Sequence, residues 1–167
     1  MKRLLLIAIA PAVVALVVAG CGGGGSGTTH AGGYGGGNAA ASTGGGSAAT
    51  VSLRKLNVGN GLVDGQGRTL YLFEADKGPM STCNGACASL WPPDMTSGKP
   101  KAGPGVDAAK LGTTKRSDGT LEVTYNGHPL YRYAPDTKAG QDTGQGLNQF
   151  GAKWYVLAAS GSKIDND

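Results

Sequence analysis

Short stretches in which apolar and polar residues alternate, separated by turn residues, occupy the chain from residue 51 to residue 161. The clearest alternation covers residues 121–125. It is followed by Asn126-Gly127, a dipeptide that favours a type I′ hairpin because both residues tolerate a positive φ. Further strands are predicted at residues 68–74, 130–133 and 154–158, and short helical turns at 85–90 and 107–111. The pattern therefore predicts a mainly β fold, a small antiparallel domain of two related halves with one short helix around residues 85–90.

The first residues follow a different pattern, in which a basic start precedes a long apolar run. Lys2 and Arg3 lead into residues 4–18, and the run ends in Val18-Ala19-Gly20-Cys21, which has the form of a lipobox. We expect residues 1–20 to be a lipoprotein signal peptide and Cys21 to be the acylated first residue of the mature chain. A membrane-spanning helix and cleavage without lipid stay open as alternatives. Residues 4–20 are, however, shorter than the roughly 20 residues that a span prefers.

The residues after Cys21 lack any apolar periodicity. Residues 22–50 consist almost entirely of Gly, Ala, Ser, Thr and Asn, which predicts a disordered linker over residues 21–50. Its root-mean-square reach is roughly 30 Å. The β domain then covers residues 51–161 and a polar tail covers 162–167. In this arrangement the predicted partner is the cell membrane, bound through the N-terminal lipid, and the domain lies on the extracytoplasmic face.

The distribution of charge and the absence of common catalytic motifs argue against several classes of function. The chain has a net charge of +4, and loss of Lys2 and Arg3 leaves 13 basic and 11 acidic residues, or +2. These charges are mixed along the sequence, so no nucleic-acid partner is expected. No Gly-x-Ser-x-Gly, His-Glu-x-x-His or phosphate-binding loop is present. The sequence therefore assigns no catalytic residue.

The chain repeats itself at an offset of 60 residues. The segment Leu70-Tyr71-Leu72-Phe73-Glu74-Ala75-Asp76 corresponds to Leu130-Tyr131-Arg132-Tyr133-Ala134-Pro135-Asp136. Each copy leads to a tryptophan, Trp91 or Trp154, and the second tryptophan comes three residues later than the offset predicts. The two copies predict motif repeats at about residues 52–93 and 112–160, packed together as two related halves.

These segments resemble a family of bacterial lipoproteins and secreted repeat proteins that is defined by a Tyr-x-(Phe/Trp/Tyr)-x-x-Asp motif. Tyr71-x-Phe73-x-x-Asp76 and Tyr131-x-Tyr133-x-x-Asp136 both fit the motif, and residues 83–93 and 124–131 fit the family too. The resemblance covers nearly all of residues 52–160. Because the family has no assigned reaction, the resemblance implies no particular activity.

The motif has a structural interpretation and a functional one. In a strand, Tyr71 and Phe73 face one side and Leu70 and Leu72 face the other, so we expect a central strand with two buried faces. Asp76 and Asp136 each come where a strand gives way to a loop, and their carboxylates can accept backbone N–H bonds and hold that loop. The alternative is an enzyme in which both aspartates and the tyrosine hydroxyls line one cleft.

Cys83 and Cys87 remain as a pair once Cys21 is lipidated, and in an oxidising compartment we expect a structural disulfide between them. Asn84 is predicted to cap the short helix that follows. The alternative is a soft-metal site, because Met80, Cys83, Cys87, Met95 and His128 are of the ligand types that favour copper. We expect no cofactor, with copper as the alternative.

Three functional hypotheses follow from the sequence. The first is a lipid-anchored extracytoplasmic binding or structural module whose ligand or protein partner is unknown. The second is a copper-binding or redox lipoprotein that uses Cys83, Cys87 and His128. The third is an enzyme that uses the paired Asp and Tyr groups of the repeated motif.

Overall fold

The computed structural model describes residues 47–166 and consists mainly of short strands. The strands are β1 (Thr50–Leu56), β2 (Gly59–Val63), β3 (Tyr71–Phe73), β4 (Lys101–Ala102), β5 (Leu111–Lys115), β6 (Leu121–Tyr125), β7 (His128–Pro129), β8 (Asn148–Gln149) and β9 (Ala152–Val156). One α-helix, α1 (Ala86–Leu90), and a 3₁₀ turn, Ala108–Lys110, are the helical elements of the described residues.

The strands form three small sheets, with strand orders β2-β1-β4, β3-β9-β8 and β5-β6-β7. Each half opens with an antiparallel hairpin, β1–β2 in the first half and β5–β6 in the second. The motif segments follow these hairpins. The mainly β fold of two related halves with one short helix is therefore confirmed.

Turn chemistry sets the hairpins where the sequence predicts them. Asn126 and Gly127 have φ values of 49° and 80°, and they join β6 to β7 with Tyr125 opposite His128. Both φ values are positive, as a type I′ turn requires. The turn between β5 and β6 has Gly119 at φ 85°.

The strand that carries the first motif is buried on both faces, as its sequence predicts. Tyr71 and Phe73 belong to one apolar cluster, which also contains both tryptophans, and Leu70 and Leu72 belong to another. The regular ladder is shorter than the alternation predicts, because β3 covers only Tyr71–Phe73.

The second motif makes isolated bridges in place of the predicted strand at residues 130–133. Tyr131 lies opposite Tyr71 on one side and opposite Pro93 on the other. Pro92 accepts the Arg132 N–H at 2.8 Å but has no backbone N–H to donate back to Arg132, so the ladder is interrupted next to this bridge.

The short helix begins without the predicted side-chain cap. Gly85 is the N-cap residue, with φ 56°, and no side chain bonds to the first turn. Asn84 instead donates its amide to the Thr82 carbonyl and accepts a hydrogen bond from Arg116. The expectation that Asn84 caps the helix is wrong, because its amide group bonds to the Thr82 carbonyl and to Arg116 instead.

No helix among residues 47–166 is long and apolar enough to cross a membrane. The predicted signal peptide, Cys21 and the linker up to residue 46 lie outside the described residues, as does Asp167.

Candidate functional site

The corresponding tyrosines of the two repeats meet at the centre of the domain. The Tyr71 backbone N–H donates to the Tyr131 carbonyl at 2.8 Å, and the Tyr131 N–H donates to the Tyr71 carbonyl at 3.0 Å. Both side chains are fully buried. Because the two hydrogen bonds are reciprocal, Tyr71 and Tyr131 occupy equivalent positions in the two repeats.

Next to this tyrosine pair, each motif segment is also paired with a segment of the other half. Tyr71 lies opposite Val156, which comes two residues after Trp154. In the same way, Tyr131 lies opposite Pro93, which comes two residues after Trp91. Each motif segment is therefore bridged to the chain that follows the tryptophan of the other half, and the two halves are interleaved.

The tyrosine and aspartate side chains of the motif also pair across the halves. The Tyr71 hydroxyl donates to Asp136 Oδ2 at 2.6 Å, and the Tyr131 hydroxyl donates to Asp76 Oδ2 at 2.6 Å. These are short bonds to carboxylates, which are stronger than bonds between neutral groups. Each tyrosine is thus bound to the aspartate of the other repeat.

The second oxygen of each carboxylate holds the loop that follows its own motif. Asp76 Oδ1 accepts bonds from the backbone N–H and the hydroxyl of Thr82. Asp136 Oδ1 accepts the equivalent two bonds from Thr143. Asp76 and Asp136 are only 6% and 3% exposed, and their four carboxylate oxygens together accept six hydrogen bonds inside the domain.

The tyrosine hydroxyls are held in their protonated form. Burial is the largest cause that raises the pKa of Tyr71 far above its usual value, and the hydrogen bond to Asp136 raises it further. Burial likewise raises the pKa of Tyr131, with the Glu122 charge and the Asp76 hydrogen bond adding to the effect. Neutral hydroxyls in these positions act as hydrogen-bond donors, and neither is activated as a nucleophile.

A stack of four aromatic rings fills the space between the halves. Trp91 and Trp154 lie face to face, with ring centroids 3.9 Å apart and an interplanar angle of 4°. Phe73 stacks on Trp154 at 4.1 Å, and Tyr133 packs on Trp91 at 4.4 Å with its ring tilted by 32°. Since Phe73 and Tyr133 are equivalent motif positions, each half supplies a ring to the tryptophan of the other half.

The five soft-metal candidates have different surroundings. Cys83 and Cys87 are joined in the predicted disulfide, so neither sulfur is a thiolate in this state. Met80 is 71% exposed, and Met95 and His128 line different clefts. Among residues 47–166, no group of three or more His, Cys, Asp or Glu side chains is placed to hold a metal ion.

A buried ion pair lies behind the disulfide, and sequence reasoning missed it. Glu122 is fully buried and accepts a bond from Arg116 Nη1 at 2.6 Å. Arg116 also donates to Ser81 Oγ and to the Cys83 carbonyl. The Ser81 hydroxyl lies 2.7 Å from the Tyr131 hydroxyl, so the ion pair connects with the Tyr131–Asp76 pair. Burial raises the pKa of Glu122 to about 7.

Nothing in the sequence pattern marks this ion pair. Glu122 alternates with Leu121 and Val123, so the period of two predicts a solvent-facing position. The strand is instead buried on both faces, because loops from the first half cover its second face. Asp94 was missed as well, and its burial raises its pKa to about 7.

A cleft of about 670 Å³ opens beside β3, where hairpin β8–β9 approaches residues 72–77. Leu72 and Phe73 form its apolar side. Glu74, Lys77 and Lys163 are among the charged groups that line it, and Lys163 pairs with Glu74 at 2.9 Å. Asp76 also lines this cleft, whereas Asp136 does not, so the cleft does not hold both motif aspartates. Its volume lies within the range of small-molecule pockets.

The fold and site define a two-repeat β domain whose halves are interleaved through exchanged Tyr–Asp hydrogen bonds. The chain belongs to the family described as a secreted repeat of unknown function, and the family model matches it twice, at residues 53–95 and 112–158. The resemblance predicted from the Tyr-x-aromatic-x-x-Asp motif is therefore confirmed. No curated protein and no solved structure matches the chain.

Proposed function

We propose that this protein is a lipid-anchored extracytoplasmic module, held at the membrane by acyl chains on Cys21, whose β domain is a rigid binding head. The family is one of secreted repeats, which supports an extracytoplasmic location. Two or more acyl chains would give stable anchoring, since one chain alone binds marginally. The linker would let the head move within about 30 Å of the anchor.

The observation that carries this proposal is the use of the motif groups inside the domain. Both tyrosine hydroxyls and both motif carboxylates are buried and bonded to one another across the halves. Groups that are saturated in this way stabilise a fold and are not available to act on a substrate. A ligand would therefore bind to the surface of the domain, and the cleft beside β3 is the candidate binding site.

Incorporation of labelled fatty acid into the full-length chain in a bacterial host tests the anchor. We expect the wild-type protein to carry the label and to partition with membranes. Cys21→Ala should lose the label, because its side chain has no sulfur to acylate. Ser26→Ala, a change within the same linker, is the matched control and should keep the label. A Cys21→Ala protein that is still labelled and membrane-bound would overturn the proposal.

A further inference from the structure

A second pocket, of about 320 Å³, lies where the chain enters β1 and where the segment after Trp91 meets the second motif. Its lining is largely polar and includes Asp64, Arg68, Asp94 and Arg132. It shares no lining residue with the cleft beside β3. The volume of this second pocket, the Asp94 pocket, is at the lower end of the range for small-molecule sites.

Two charged groups of the Asp94 pocket have buried atoms without a partner. Asp94 is 6% exposed, and its Oδ2 atom accepts no hydrogen bond from residues 47–166. The Nε atom of Arg132 is buried and unpartnered in the same way, although another nitrogen of this guanidinium donates to the Pro93 carbonyl at 3.3 Å. By contrast, Asp64 and Arg68 are paired with each other at 2.7 Å. Buried polar groups without a partner lower the stability of a fold, so the unpaired atoms need a reason.

The main chain holds both unpaired groups in place. The Asp94 N–H donates to the Leu130 carbonyl at 2.8 Å, and the Asp94 carbonyl accepts the Val123 N–H at 2.8 Å. On the neighbouring segment, the Arg132 N–H donates to the Pro92 carbonyl at 2.8 Å. The carboxylate and the guanidinium are therefore carried by paired segments of chain, which is the kind of rigid support that favours binding.

The other half of the domain shows that the fold does not need these two charges. Arg132 corresponds to Leu72 at the offset of the motif, and Asp94 corresponds to Leu157, since each comes three residues after the tryptophan of its half. Leu72 and Leu157 are buried in one apolar cluster. Well-packed apolar residues are often at least as stable as buried charges at the same positions. The fold thus gives no reason for the Asp94 and Arg132 pair, whereas a ligand would.

The unpartnered atoms define what a ligand must offer. Asp94 Oδ2 accepts a hydrogen bond and Arg132 Nε donates one. A hydroxyl group satisfies both atoms, because it has one O–H donor and two acceptor lone pairs. An anion would bring a like charge to the Asp94 carboxylate, and a cation would bring one to the Arg132 guanidinium, so a charged ligand fits less well.

We propose that the Asp94 pocket binds a neutral sugar, whose hydroxyls donate to Asp94 and accept from Arg132. Met95, which is 39% exposed, lines the same pocket and offers apolar surface to the C–H face of a sugar ring. This binding goes beyond the proposed function, because it depends neither on acylation of Cys21 nor on the cleft beside β3.

Titration calorimetry of the full-length protein with glucose, galactose, mannose and N-acetylglucosamine tests the inference. Micelles of a polyoxyethylene detergent avoid a sugar headgroup that would compete. We expect saturable binding of at least one of these sugars that changes little as salt is added, because no ion pair forms with the ligand. Asp94→Asn should lower the affinity by roughly tenfold or more, since it removes a charged hydrogen-bond acceptor. Asp118→Asn changes an exposed carboxylate outside the pocket lining and should leave the affinity unchanged.

Asp94→Leu combined with Arg132→Leu copies the apolar pair of the other half. We expect this double variant to melt at a higher temperature and to bind no sugar, so the loss of binding is not a folding defect. Asp94→Asn keeps the volume of the side chain and decides the question if the double variant does not fold.

Unchanged sugar affinity in Asp94→Asn overturns the site. Binding of free zwitterionic alanine with none of the sugars overturns the neutral sugar as the ligand. An absence of binding for all four sugars overturns the inference and leaves the proposed anchor standing, because acylation of Cys21 is measured separately.

Discussion

Replacing Asp136 with asparagine tests whether the crossed hydrogen bonds hold the two halves together. Asp136 accepts bonds from the Tyr71 hydroxyl, at 2.6 Å, and from the backbone N–H and hydroxyl of Thr143. An asparagine keeps one acceptor oxygen and places two N–H donors where the other oxygen was. Either Tyr71 or Thr143 must then lose its acceptor in a buried position.

The expected cost follows from this count. A buried polar group left without a partner costs about 1–3 kcal/mol. A loss of about 2 kcal/mol lowers the melting temperature of a domain of this size by roughly 6–10 °C. Asp118→Asn is the matched control, because Asp118 also accepts bonds from the N–H and hydroxyl of a threonine, Thr120, but is exposed. Its effect should stay within about 0.5 kcal/mol.

A double-mutant cycle, read by urea denaturation, separates the crossed pairing from a general loss of stability. Tyr71→Phe combined with Asp136→Asn should show a coupling of about 0.5–3 kcal/mol, since the two residues share a hydrogen bond. Tyr71→Phe combined with Asp76→Asn should be additive within about 0.5 kcal/mol, because their hydrogen bonds go to other partners. Coupling within a repeat and additivity between repeats would refute the reasoning.

Two further predictions concern the buried charge and the disulfide. Because burial raises the folded-state pKa of Glu122 from 4.5 to about 7, the folded protein binds this proton more tightly than the unfolded chain. The stabilisation that comes from binding this proton is fully present below pH 4.5 and is lost as the pH rises to about 7. Glu122→Gln should therefore flatten the fall in unfolding free energy over this window, and an unchanged slope in urea titrations would contradict the assignment. For Cys83 and Cys87, the intact mass of the denatured protein should rise by two hydrogen atoms on reduction, and free thiols in air-exposed protein would contradict the disulfide.

The repeated motif carries most of what could be predicted about the fold. The correspondence of Tyr71 with Tyr131 and of Asp76 with Asp136 predicts two related halves, because the same short pattern recurs at one offset. The Asn126-Gly127 turn is predicted for a local reason, since few dipeptides tolerate two positive φ angles. The Cys83–Cys87 pair was predicted from cysteine count and spacing. Each of these features can be recognised from short stretches of sequence.

The cleft and its neighbours could not be predicted in the same way. Its lining comes from β3, from the β6–β7 turn, from hairpin β8–β9 and from the C-terminal segment, which are far apart in sequence. From the sequence, Glu122 is predicted to face solvent. In the structure it is covered by the loop that contains Ser81 and Cys83, the hydrogen-bond partners of Arg116.

The sequence by itself determined the β pattern and the existence of two halves, because each of these follows from short-range periodicity or from a repeated motif. The tertiary structure alone decided that Tyr71 bonds to Asp136 and Tyr131 to Asp76, although each tyrosine lies five residues from the aspartate of its own repeat. The physical reason is that side-chain partners are chosen by packing in three dimensions. The reciprocal Tyr71–Tyr131 backbone pair turns each motif strand towards the other half. There the tyrosine hydroxyl meets the aspartate carboxylate, and both groups are buried with their hydrogen bonds made.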